Sequence, residues 1–107
     1  MNTELIRKLR RAGFPLTPVT KIFAELNIPP DTIQEAQSKI PEIFPNAYQI
    51  AGKWYLAPSY DQLFENIHNF FYLQKLKDDW MAASHDFEAR GEGPLEALCN
   101  LFLETKK

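Results

Sequence analysis

From Phe44 to Ser59 the chain reads FPNAYQIAGKWYLAPS, and no other stretch limits its fold so tightly. Two short apolar, aromatic-rich segments flank Ala51-Gly52, and a Pro-Ser pair closes the run. Proline lacks a backbone N–H and breaks a helix interior, so Pro41 and Pro45 forbid a longer helix here. Residues 47–49 and 53–56 suit a β-hairpin, in which loop length decides which side chains share a face. A two-residue loop at Ala51-Gly52 puts Ile50 opposite Lys53 and Gln49 opposite Trp54, mixing polar and apolar groups on both faces. A three-residue loop, Ile50-Ala51-Gly52, puts Gly52 where positive φ is often needed and pairs Tyr48 with Trp54. Leu56 then joins the apolar face, while Gln49, Lys53 and Tyr55 form a wettable one. The second register separates the faces and is the expected one. Tyr48, Trp54 and Leu56 then anchor the hairpin, leaving Gln49, Gly52 and Lys53 to make contacts.

The chain before the hairpin is patterned for helices. Asn2 or Thr3 can cap a helix over residues 3–12, with Leu5, Ile6 and Leu9 as its apolar stripe and Gly13 as its stop. Arg7, Lys8, Arg10 and Arg11 crowd its last turns, where positive charge suits the negative end of the helix dipole. Phosphate contact is a second use for them. Thr17 can cap the next helix, with Pro18 at its first position. Val19, Ile22, Phe23 and Leu26 follow the spacing of one buried face, and Asn27 tolerates the left-handed conformation that ends helices. After Ile28-Pro29-Pro30 a third helix begins near Asp31, with Ile33, Ala36 and Ile40 inward. Its outer face carries Gln34, Glu35, Gln37, Ser38 and Lys39. Helix, tight turn, helix is the layout of a helix-turn-helix, but without further context it is more often a plain helical hairpin.

Beyond the hairpin, Ser59 and Gln62 have capping-box spacing, and Tyr60, Leu63, Phe64 and Ile67 form a buried helical face. Residues 70–90 read two ways. They form two or three strands turning at Asp78-Asp79 and around Ala89–Gly93, or they continue as helices over 59–77 and 79–90. Propensity does not separate these readings. A final helix opens at Pro94 and buries Leu95, Leu98, Cys99 and Phe102, with Lys106-Lys107 at its C-terminal end.

Across 107 residues the apolar fraction is 45% and the aromatic fraction 13%, enough for a core without cross-links. Cys99, the single cysteine, is expected to be a buried structural thiol. No signal-peptide pattern or membrane-length apolar run occurs, so a cytoplasmic location is the default expectation. Net charge is −2, distributed unevenly: residues 1–57 are net basic and residues 58–107 net acidic. Taken alone that asymmetry reads as ordinary surface charge; the functional alternative is an anionic partner for the first half. His68 and His85 lie far apart, so no zinc-ligand spacing exists. The Gly91-Glu92-Gly93 stretch lacks the lysine of a phosphate cradle, and Cys99 with His85 lacks an activating environment. No catalytic constellation, metal site or cofactor is expected, and the chain reads as a non-enzyme.

The helix pair followed at once by FPNAYQIAGKWYLAPSYDQL resembles the excisionase-type, MerR-like winged DNA-binding domains. Pro45, Ala47, Ile50, Ala51, Gly52, Lys53 and Trp54 carry the likeness in the wing, and residues 59–67 supply the helix that follows. It covers about residues 16–67. The resemblance implies that the helix over 31–39 enters the major groove of double-stranded DNA. Thr32, Gln34, Gln37 and Ser38 would then face base edges, and Lys39, Gln49, Gly52 and Lys53 would approach backbone or minor groove. The chain departs from the family by carrying Asp31 and Glu35 on that helix against Lys39 alone. More weakly, residues 78–105 resemble the end of small phage-encoded α+β domains, through Trp80, Gly91, Gly93, Pro94, Glu96, Ala97 and Leu98. That likeness favours strands for 70–90. A double-stranded-RNA-binding ending is rejected, because Pro94, Leu95 and Glu96 stand where its lysines belong.

The expected fold class is α+β: helices with a helix-turn-helix and a hairpin wing, then a small antiparallel sheet and a C-terminal helix. The expected division is 1–69 and 70–107, with one shared core as the alternative. The expected function is a small DNA-binding accessory or regulatory protein of a phage or mobile element, acting as a homodimer that doubles a small footprint. The alternative is a protein-binding inhibitor or adaptor of anti-defence type, using the same fold without binding DNA.

Overall fold

Local signals in the sequence start and stop most of the elements. The computed structural model describes residues 1–25 and 40–107, less the side chains of residues 23 and 24. Helix α1 spans Thr3–Arg11; the Asn2 side chain accepts from the Leu5 N–H at 2.9 Å, and Gly13 at φ +88° turns the chain away. Helix α2 (Val19–Glu25) and a short α3 (Ile40–Ile43) precede the hairpin strands β1 (Ala47–Ile50) and β2 (Lys53–Leu56). Helix α4 (Tyr60–Asn66) follows, then β3 (Phe70–Lys75), β4 (Trp80–Ser84), β5 (Glu88–Gly91) and α5 (Pro94–Thr105). The class is α+β, with five helices among the described residues and two antiparallel sheets, β1-β2 and β3-β4-β5. No described helix is long and apolar enough to cross a membrane.

Contacts divide the chain into two units, one of residues 15–57 and one of residues 1–14 with 58–107. The boundary expected after residue 69 falls inside the second of these. The reason is that both α4 and, from the far end of the chain, α1 pack on α5. Ile6 and Leu9 are fully buried, and Phe14 meets Phe102 edge-to-face with centroids 5.0 Å apart. An edge-to-face pair of that geometry contributes about 1 kcal/mol beyond its buried area.

In the unit built on α5, the strand reading of 70–90 holds. The second turn lies at residues 85–87 and not at 89–93: the Ser84 N–H donates to the Phe87 carbonyl at 2.8 Å, and β5 occupies 88–91. Register puts Leu73, Ala82 and Ala89 side by side, and Trp80 beside Gly91. Small residues on that face let α5 approach closely. A Cβ at Gly91 would collide with the Ala97 backbone nitrogen and lie 2.7 Å from the Glu96 carbonyl carbon. Helix α5 buries Ala97, Leu98, Cys99, Leu101 and Phe102. On α4 the capping box of Ser59 and Gln62 forms as its spacing predicts. Of its expected buried face, Leu63 and Ile67 are inside, while Tyr60 and Phe64 are 43% and 40% exposed.

In the unit of residues 15–57, Val19 and Ile40 form a small core joined by Phe44, Ala47, Trp54 and Leu56. Pro18 does not open α2. It forms a bridge with Tyr55, and the Leu56 N–H donates to the Thr17 carbonyl at 2.9 Å, so this segment lies along the free edge of β2. Pro41 lies inside the single turn of α3, closed by the Phe44 N–H on the Ile40 carbonyl at 2.7 Å.

Candidate nucleic-acid interface

The hairpin turn decides what the proposed wing offers. Its register is the two-residue one, with Ile50 opposite Lys53, Gln49 opposite Trp54 and Tyr48 opposite Tyr55. This corrects the expected three-residue loop. Ala51 at φ +51° and Gly52 at φ +80° are both left-handed, as a type I′ turn demands, and that turn's twist matches the strands it joins. The expectation assumed one dry and one wet face. Both faces of this hairpin are instead partly covered: Trp54 and Leu56 join the Val19–Ile40 core from one side, and Ile50 and Tyr55 are buried on the other. With neither face given to water, alternation no longer selects the register, and the turn does.

The expected contact residues are rearranged accordingly. Gln49 shares a face with Trp54, and Lys53 shares the opposite face with Ile50. Gln49, Gly52 and Lys53 are all exposed, but they do not form one polar face with Tyr55, which is only 8% exposed. Trp54, Leu56, Ala47 and Phe44 pack on Val19 and Ile40, whereas Tyr48 lies opposite Tyr55 on the other face of the hairpin. Thr32, Gln34, Gln37, Ser38 and Lys39 lie outside the described residues, as do Asp31 and Glu35.

The other ionisable groups of note belong to the unit containing α5. Cys99 is buried, and its thiol is pushed up to about 12, first by burial and then by the nearby Glu96 carboxylate. Such a thiol is inert as a nucleophile at neutral pH. Glu96 is partly buried, which by itself would raise its pKa. That is outweighed by a backbone hydrogen bond and by the Met1 ammonium 3.0 Å away, so the carboxyl is held below its usual range. Among the described residues no group of three His, Cys, Asp or Glu side chains could hold a metal ion.

Spacing along the sequence missed a cluster of cations. Lys8 and Arg11 of α1, Arg90 of β5, and Lys106 and Lys107 after α5 line one open groove of about 670 Å³. The basic run of α1 is visible in the sequence, but its meeting with the C-terminal lysines is not.

The chain matches no protein-family model, no curated protein and no solved structure.

Proposed function

We propose that the chain is a small DNA-binding accessory or regulatory protein of a phage or mobile element, with the β1-β2 hairpin as its wing. The observation that carries this reading is the type I′ turn. It presents Gly52 and Lys53 at an exposed tip while Trp54 and Leu56 hold the hairpin on the helical core. A backbone amide and one ammonium at a rigid tip can approach a phosphate, a contact that positions a protein without reading sequence.

The test is a titration of mixed-sequence duplex DNA at low and moderate salt. The reading expects binding that weakens with salt, and a Lys53→Ala variant that binds all sequences more weakly, with a log–log salt slope shallower by about one. No binding by the wild-type chain at low salt would sink it.

A second reading, a protein-binding adaptor or inhibitor, is favoured by a different observation. Tyr60, Phe64, Phe71 and Phe87 are all at least 40% exposed. Phe71 reaches 65% and leans on Tyr72 and His85 at centroid distances of 5.5 and 5.4 Å. Exposed aromatic anchors are what protein interfaces use. A partner retained by the wild-type chain and released by Phe71→Asp would support this reading, and equal retention by both would refute it.

A further inference from the structure

We infer that the groove lined by Lys8, Arg11, Arg90, Lys106 and Lys107 binds the phosphodiester backbone of a nucleic acid, at a site separate from the wing. The inference shares with the proposed function only the class of ligand. Helix α1 meets the consecutive elements β5 and α5, from the far end of the chain, to build the groove. Helix α1 supplies Lys8 and Arg11 one turn apart on one face. Strand β5 supplies Arg90, whose carbonyl accepts from the Asn100 side-chain amide of α5 at 2.7 Å, fixing strand to helix along the groove. The end of α5 supplies Lys106, whose ammonium lies 5.4 Å from the Phe102 ring centre, and Lys107.

Two structural roles account for part of this charge. Both α1 and α5 end at the groove, and each helix C-terminus presents about half a negative charge, enough to balance about one cation. Glu104 pairs with Lys107 at 2.9 Å and Asp79 with Arg90 at 3.9 Å. Lys8, Arg11 and Lys106 remain, all exposed, and none of them forms an ion pair among the described residues. In both pairs the cation is well exposed and the carboxylate half-buried, and surface ion pairs of that kind contribute little stability that a phosphate contact would forfeit. A chain of net charge −2 has thus gathered five cations against two carboxylates, Glu104 in the groove and Asp79 beside Arg90.

The form of the groove favours a strand over a small phosphate ligand. Its cations are long, exposed side chains, which suit a backbone of repeated charges better than one fixed anion. The adjoining cleft, reached past Lys8 and Asn100, is lined by Glu4, Glu92 and Glu96 with the Met1 ammonium already held by Glu96, so it offers phosphate no excess of positive charge. The strand's path is therefore confined to the basic side.

The test is an amide chemical-shift titration of the isotope-labelled full chain, with a short single strand and with a short duplex at low salt. The spectrum reads groove and wing separately. Expected are shifts at Lys8, Arg11, Arg90 and Lys106 with both ligands. The double variant Lys8→Gln/Arg11→Gln should keep the wild-type fold in the same spectrum. It should bind about tenfold more weakly, with a salt slope shallower by about two. Lys8→Gln alone should lose about half of that slope change, which keeps the test readable if the double variant misfolds. Absent groove shifts, or a double variant that binds like wild type, would overturn the inference. Groove shifts with a silent Ala51–Lys53 tip would support the groove and remove the wing; a shifted tip with a silent groove would do the reverse.

Discussion

Ala51 holds a conformation that alanine disfavours. At φ +51° its Cβ crowds the backbone, a cost of about 1–2 kcal/mol that asparagine largely avoids. Its side chain is exposed and the next residue is already Gly52, so Ala51→Asn would create the favoured pair for a type I′ turn. The variant is expected to slow hydrogen exchange of the β1-β2 amides and to stabilise the hairpin by about 0.5–1 kcal/mol. Faster exchange would mean that Ala51 is not left-handed in solution. Cys99 makes a second prediction at this scale. Its thiol is raised to about 12 in the fold and returns to about 8.5 when the chain unfolds. The folded state therefore keeps its proton while the unfolded state loses it. This contribution to stability is complete below about pH 8.5 and declines as pH rises towards 12. Alkylation of Cys99 in the native protein should stay slow at pH 8 and become fast only in denaturant. Rapid native alkylation would show that the α5 face opens.

Between β5 and α5 the decisive feature is close approach. Gly91→Ala would drive a Cβ into the backbone of the first turn of α5, where nothing flexible can move aside. Overpacking of that kind costs about 1–3 kcal/mol, and the expected result is a lower urea midpoint with an unchanged slope. A midpoint equal to that of wild type would mean that strand and helix do not meet this closely. The elements differ in how much of them the residues foretell. Caps act within one turn, so Asn2, Gly13 and the Ser59–Gln62 box are readable where they stand. The strands of 70–91 are harder, because a register shift at Phe71 breaks the alternation that marks a strand, and the turn at 85–87 has no glycine. Tyr60 and Phe64 follow helical core spacing yet stack on the surface, since periodicity records a face without saying what covers it. The same limit applies to the candidate site. Lys53 was legible as a tip residue, but its separation from Gln49 depended on a register that the turn chose.

At the scale of the whole chain, the pairing that sequence patterning could not supply is that of its two ends. Helix α1 looks like a free-standing basic amphipathic helix until α5 is placed against it. Charge read by halves of the chain misleads for the same reason, because the basic helix belongs with the acidic half and forms the groove there. A fragment of residues 70–107 tests this organisation directly. It retains β3, β4, β5 and α5 but loses Ile6, Leu9 and Phe14, all buried, together with Leu63 and Ile67 of the α4 region. Fully burying each such side chain stabilises by about 1.5–3 kcal/mol, while a domain's whole stability is about 5–15 kcal/mol. Losing five leaves no margin, and a chain below about 40 residues rarely folds without cross-links or metal. The fragment is therefore expected to give a collapsed amide spectrum and no cooperative melting, whereas the full chain melts cooperatively. A dispersed spectrum from residues 70–107 alone would show that α1 is an accessory to this unit and that the boundary belongs after residue 69.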